Sequence, residues 1–219
     1  MPEVVLIRAG STDFDDQNRI QGRLDLPLSP RGEREVQQLV DQLRDVSLEV
    51  LYTAPSDPAR ATAVVIGSRL NIPVKELPNL QNLDQGLWQG LCVDEITRKH
   101  PKVYKQWRES PETVCPPEGE TVSEALTRIR KVLQKPLKRK DRFGVVASDP
   151  LVTLIRCLVA GRMSEIPTML SECSDNSPVD VLHVSRDVLT QNAVVAAAQT
   201  ENIETAETSQ PAALRGDKS

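Results

Sequence analysis

The stretch Glu3-Val4-Val5-Leu6-Ile7-Arg8-Ala9-Gly10 decides the fold class. Successive side chains of an extended strand point to opposite faces, so four apolar residues in a row, Val4 to Ile7, describe a strand buried on both sides. Strands of that kind belong to parallel sheets with helices packed on each face. From Gly10 a polar, Asp-rich loop runs to Leu28. Ser29-Pro30 then announces a helix, with Ser as N-cap and Pro in the first turn, and Val36, Leu39, Val40 and Leu43 follow at helical spacing.

The same unit recurs along the chain. Val50-Leu51-Tyr52 predicts a short strand, Ser56 to Leu70 a helix, and Val74 to Leu77 another short strand. Trp88 to Trp107 mixes polar residues with scattered apolar ones and predicts a pair of short helices. Thr121 opens the best-signalled helix: Glu124 completes a capping box, and Val122, Ala125, Leu126, Ile129, Val132 and Leu133 form one apolar stripe. Phe143 to Ser148 is the next buried strand, Leu151 to Val159 a helix ended by Gly161, and Val179 to Val184 a last strand. Strands alternating with helices predict a three-layer α/β/α domain around a mainly parallel central sheet.

Composition narrows the function. The chain has 219 residues, 39% of them apolar, enough for one real core. No apolar run approaches the roughly 18 residues of a membrane span. The formal charge of −4 argues against a nucleic-acid partner; Lys135, Lys138, Arg139 and Lys140 make one short basic run, read as a solvated helix end. Cys92, Cys115, Cys157 and Cys173 lack C-x-x-C spacing, and His100 and His183 are the two histidines that could join them, so no metal is expected. Met1-Pro2-Glu3 leads into a strand without a secretion signal, which predicts reduced thiols and a cytoplasmic protein. The boundaries follow composition: a domain over 1–185, an extension over 186–198 in which Leu189 to Ala198 adds at most one element, and a polar tail over 199–219 expected to be disordered.

Several spaced motifs then carry a resemblance. Leu6-Ile7-Arg8-Ala9-Gly10-Ser11-Thr12, Arg19-Ile20-Gln21-Gly22 and Asp25-Leu26-Pro27-Leu28-Ser29 come first in the chain. Ala59-Arg60-Ala61-Thr62-Ala63, Gly86-Leu87-Trp88-Gln89-Gly90, Pro117-Glu118-Gly119-Glu120 and the segment Val145 to Ile155 follow in order. Together they resemble the histidine phosphatase superfamily, which includes the cofactor-dependent phosphoglycerate mutases, over about residues 3–185. The resemblance implies metal-independent phosphoryl transfer to a histidine, with a glutamate as leaving-group acid and arginines, a second histidine and an asparagine around the phosphoryl group.

By motif alignment this chain departs at those positions. Ala9 stands where the nucleophile belongs, Asn82 in place of the acid, Asp149 in place of the second histidine, Pro150 in place of the glycine after it, and Asp15 in place of the asparagine. A methyl group cannot accept a phosphoryl group, and a carboxamide has no proton to give. Arg8 and Arg60 are the surviving phosphate-pocket residues, expected to converge with Asp15 and Asp149. Plainer readings stand beside these. Asp149-Pro150 reads as a helix N-cap followed by Pro, Asp15 as a solvated loop residue, and His100 and His183 as structural groups.

The resemblance therefore implies a catalytically inactive member, a pseudophosphatase binding a protein or small-molecule ligand, phosphorylated metabolites included, without a cofactor. The alternative is an active phosphomonoesterase or mutase with a non-standard residue set; Ser11, Thr12 and Ser148 are the nearby hydroxyls, each lacking an adjacent base with a suitable pKa. A third reading makes the tail the functional element.

Overall fold

A computed structural model describes residues 3–110, 114–138, 141–166 and 178–184. Its centre is a five-stranded sheet of β1 (Glu3–Arg8), β2 (Val50–Thr53), β3 (Val74–Glu76), β4 (Phe143–Ala147) and β5 (Val179–His183), in the order β3-β2-β4-β1-β5. All neighbouring pairs are parallel except β5, which runs antiparallel to β1. Every residue of β4, and Val4 to Ile7 of β1, is buried, as strands covered on both faces require.

Helices α2 (Pro30–Leu43) and α3 (Asp57–Leu70) pack on each other, and α6 (Val122–Leu133) packs on α7 (Leu151–Ala160). The capping residues explain where these helices begin. Ser29 accepts the Gly32 N–H at 3.2 Å, and Thr121 and Glu124 form the expected reciprocal box. Gly161, at φ 70°, ends α7 in the left-handed conformation that glycine adopts without a Cβ clash. The expected α/β/α domain with a mainly parallel sheet is the observed one.

Two features were not anticipated. The loop after β1 contains a short helix, α1 (Asp13–Asp16), whose capping box joins Thr12 to Asp15. The expected short helices are α4 (Val93–Lys99) and α5 (Pro101–Glu109), and they enclose a second, smaller core of Trp88, Ile96 and Val114 flanked by Ile20, Leu91, Tyr104 and Trp107. Cys92, Cys115 and Cys157 are free thiols, and burial, the largest influence, pushes that of Cys157 up to about 11. No described helix is long and apolar enough to cross a membrane. Cys173, Arg139, Lys140, the 186–198 extension and the 199–219 tail lie outside the described residues.

Candidate active site

Two adjacent parallel strands end side by side, β1 at Arg8 and β4 at Ala147, in register with each other. Their outgoing turns bring Ala9 and Asp149 to the same edge of the sheet, the usual location of ligand sites in open α/β folds. The Ala9 N–H donates to the Ala147 carbonyl at 2.9 Å, and the side chain it anchors is a methyl group, 6% exposed. Gly10 donates to the buried Thr62 hydroxyl of α3 at 3.0 Å. Gly32 of α2 lies so close to the Ser11 backbone that a Cβ there would fall 2.0 Å from the Ser11 carbonyl oxygen. Both contacts fix the loop after β1 rigidly against α2 and α3.

Arg8 Nε lies 3.1 Å from Asp149 Oδ2, with the side chains 24% and 15% exposed. Asp149 Oδ1 accepts the Thr153 hydroxyl at 2.8 Å, one turn into α7. Burial raises the Asp149 carboxyl above the ordinary carboxylate range, against the opposing pull of Arg8, Thr153 and Arg156. Asp15 adds a smaller push in the same upward direction. Its own carboxylate is turned to α1, accepting the Thr12 N–H at 2.7 Å and hydroxyl at 2.8 Å, so Asp15 is a capping residue.

Asn82 is buried, and both the nitrogen and the oxygen of its carboxamide are hydrogen-bonded. Nδ2 donates to the Asp149 carbonyl at 2.9 Å, while Oδ1 accepts Leu83 N–H at 2.9 Å and Leu151 N–H at 3.2 Å. The last bond satisfies one of the orphan N–H groups at the start of α7. This alters the plain reading of Asp149-Pro150: the residue that flanks the helix is Pro150, and the side-chain cap comes from Asn82, 69 positions away from Leu151 in sequence. Arg128 of α6 holds the Asn82 loop in turn, donating to the carbonyls of Asn79 at 3.1 Å and Gln81 at 2.8 Å.

Arg60, expected to converge with Arg8, Asp15 and Asp149, makes its ion pairs with other carboxylates. It is 41% exposed and pairs with Asp57 at 2.5 Å, Asp25 at 3.4 Å and Glu76 at 3.6 Å. The buried face of α3 carries Pro58, Ala59, Thr62 and Ala63, and Thr62 is the residue that touches Gly10. Pro58 and Thr62 lie one turn apart on that buried face, while Arg60 is partly exposed.

Other polar groups were missed. Arg156 is the one charge in the apolar run Leu151 to Ala160, and it pairs, largely buried, with Asp180, the one acidic residue of β5. A lone charge in each of two apolar segments is the signal that could have found them. Ser11 donates through its N–H at 2.9 Å and its hydroxyl at 2.7 Å to Glu35 Oε2. Burial alone would raise the Glu35 carboxyl, but the hydrogen bonds from Ser11 and Arg31 outweigh it and hold the group below its ordinary value. A carboxylate so held is a poorer base than a free one, so the geometry gives Ser11 no activation as a nucleophile. A cleft of about 250 Å³ opens here, lined by Arg8, Ala9, Gly10, Arg31, Gln38 and Pro178 among others.

Comparison with known proteins places the chain. The model of the histidine phosphatase superfamily (branch 1) matches residues 4–187. Phosphoserine phosphatase 1 of Hydrogenobacter thermophilus is 27% identical over 184 residues, 84% of this chain and 87% of that protein. The probable phosphoglycerate mutase GpmB of Serratia proteamaculans is 28% identical over 73% of this chain and 74% of its own length. Among solved structures, Bacillus stearothermophilus YhfR superimposes with a TM-score of 0.72 at 21% identity, covering 85% of this chain and 93% of that one. At that identity the likeness speaks for the fold.

Proposed function

The chain belongs to the histidine phosphatase superfamily, and from that premise we propose that it keeps the family's scaffold without its phosphoryl-transfer chemistry, acting as a binding or regulatory module. The observation in support is local. Arg8, at the end of β1, is paired with a carboxylate of the chain itself, Asp149, and the next residue, Ala9, is a methyl group where the family's reaction needs an imidazole. Asn82 adds to this, because a carboxamide has no acidic proton to transfer to a leaving group, and this one is held by hydrogen bonds at both ends. The ligand of such a module is a protein or a small molecule that tolerates a largely neutralised pocket, and the site of action is the cytoplasm.

The second reading, an active phosphomonoesterase or mutase, draws on the relatives, which bear the names of phosphatases and mutases. One assay separates the two. With phosphoserine and p-nitrophenyl phosphate as substrates, the protein is expected to match the buffer blank, and Ala9→His alone is expected to leave it there. General acid catalysis is worth about 10²–10⁴-fold, and the acid would still be missing. Reproducible turnover abolished by Arg8→Ala would overturn the proposal.

A further inference from the structure

A groove of about 810 Å³ runs along the outer side of α6, between that helix and the segment by which the chain leaves β3. The helical wall has a simple period. Ser123, Thr127 and Lys131 succeed one another at four-residue spacing, and Lys135 continues the row just past the helix, over about 18 Å at a rise of about 1.5 Å per residue. Ser123 and Thr127 are short and exposed, and the Thr127 hydroxyl is committed within α6, donating to the Ser123 carbonyl at 2.9 Å. Leu77, Pro78 and Val132 supply apolar surface, and Leu77 and Val132 are half-buried, with their inner sides against the main core. A low wall beside an apolar trough of this length leaves room for the backbone of another helix.

Charge on this flank is one-sided. From Arg128 to Lys140 the sequence contains no Asp or Glu. Of the charged groups in the groove, Glu124 is held as a cap, accepting the Thr121 N–H and hydroxyl, both at 2.8 Å, and Arg128 binds Glu120 and two loop carbonyls. Lys131 and Lys135 are exposed and make no ion pair among the described residues, and the same holds for Lys138 in the turn Pro136–Lys138. Shape and charge together select the occupant. A lipid surface needs apolar side chains that project, whereas these line a trough, and a phosphate backbone would leave the trough uncovered. A second copy would have to bring an exposed apolar helix face with carboxylates beside it. Among the described helices of three turns or so, the large apolar residues left exposed are Val64 of α3 and Val103 of α5, and neither has an Asp or Glu three or four residues away.

We infer that the groove along α6 is a docking site for an amphipathic helix of a partner protein, about three turns long, whose apolar stripe fills the trough and whose carboxylates, one turn apart, meet Lys131 and Lys135. The groove shares no lining residue with the cleft at Ala9, so the inference stands whichever way the activity assay turns out.

Fluorescence anisotropy on the full chain tests it. The probe is a labelled peptide of about 14 residues built from Leu, Glu and Ala, so that its helix carries Leu along one stripe and Glu beside it; a twin has Lys in place of Glu. Expected is saturable binding of the acidic peptide, with the basic twin at least about tenfold weaker. K131E/K135E should invert that preference. T127W, which raises a bulky ring inside the groove without altering its charge, should weaken the acidic peptide at least about tenfold. The three substituted residues are exposed, so melts followed by circular dichroism should match the parent's and certify the fold. Failure of the acidic peptide to bind would overturn the proposal, and so would binding indifferent to T127W, which is diffuse attraction between charges. Phosphatidylserine vesicles or polyuridylate bound with the same sensitivity to both variants would overturn it by giving the groove another occupant. Sedimentation that shows self-association of the parent, abolished by T127W, would assign the groove to a second copy and overturn it equally.

Discussion

Arg8 and Arg60 are both arginines from motif segments, both ion-paired, and they occupy opposite regimes. Arg8 meets the Asp149 carboxylate in a largely buried setting at the joined ends of β1 and β4. Arg60 meets three on the open side of α3, where water competes for each of them. Burial therefore decides what each pair can do. A buried pair is coupled to the fold, because losing one partner strands the other; an exposed cluster can lose a member and be resolvated.

The sharpest break of this comparison is Arg8→Ala. Asp149 would have to remain charged in a buried site or take up a proton, and the expected cost is about 3 kcal/mol, read as a lowered urea midpoint with unchanged slope. A loss too small to measure would mean that the Arg8 pair behaves like the Arg60 cluster.

Asn82→Ala ranks next. It removes three hydrogen bonds and leaves the buried Leu151 N–H without an acceptor, for an expected loss of about 2 kcal/mol in the same titration. Asn82→Asp should do better than Ala, since it keeps an acceptor for Leu151 while losing the donor to Asp149. Equal losses in both variants would locate the stabilisation in packing rather than in the cap.

Acidity gives a smaller effect with a definite sign. The Asp149 carboxyl is raised in the folded state, so its contribution is complete below the ordinary carboxylate pKa and is lost as pH rises through the folded value. Glu35 is lowered, so its contribution is present above the ordinary value and lost as pH falls. Thermal melts between pH 4 and 7 should therefore show Asp149→Asn gaining on the parent as pH rises, and Glu35→Gln falling behind it. Parallel curves for the two variants would contradict the assignment.

Arg60→Ala should do least. Its midpoint is expected to coincide with the parent's, with added salt making no difference, because the side chain is exposed and its three carboxylates can be hydrated.

The same contrast explains what could be read beforehand. The apolar runs Val4–Ile7 and Phe143–Ala147 made β1 and β4 legible, because a doubly buried strand admits few other side chains. The caps at Ser29 and Thr121 were legible because their partners lie three residues away. The ion pairs of Arg60 were not legible, because two of its three partners, Asp25 and Glu76, come from other parts of the chain. The role of Asn82 was hidden for a similar reason: its partners, Asp149 and Leu151, come from a distant turn. Arg156 and Asp180 left a trace in the sequence, each the only charge of its kind in an apolar element, and that trace was overlooked.

The small core beneath α4 and α5 has an optical consequence. The chain contains two tryptophans, Trp88 and Trp107, and both lie in that cluster, with ring centroids 6.5 Å apart and planes at 84°. Indole emission from this protein thus reports on the satellite cluster alone and is blind to the sheet, whose melting is seen by far-ultraviolet circular dichroism. Superimposable traces from the two signals would show that cluster and sheet open as one cooperative unit. An earlier shift in emission would give the cluster its own local opening, visible in a single cuvette without any label.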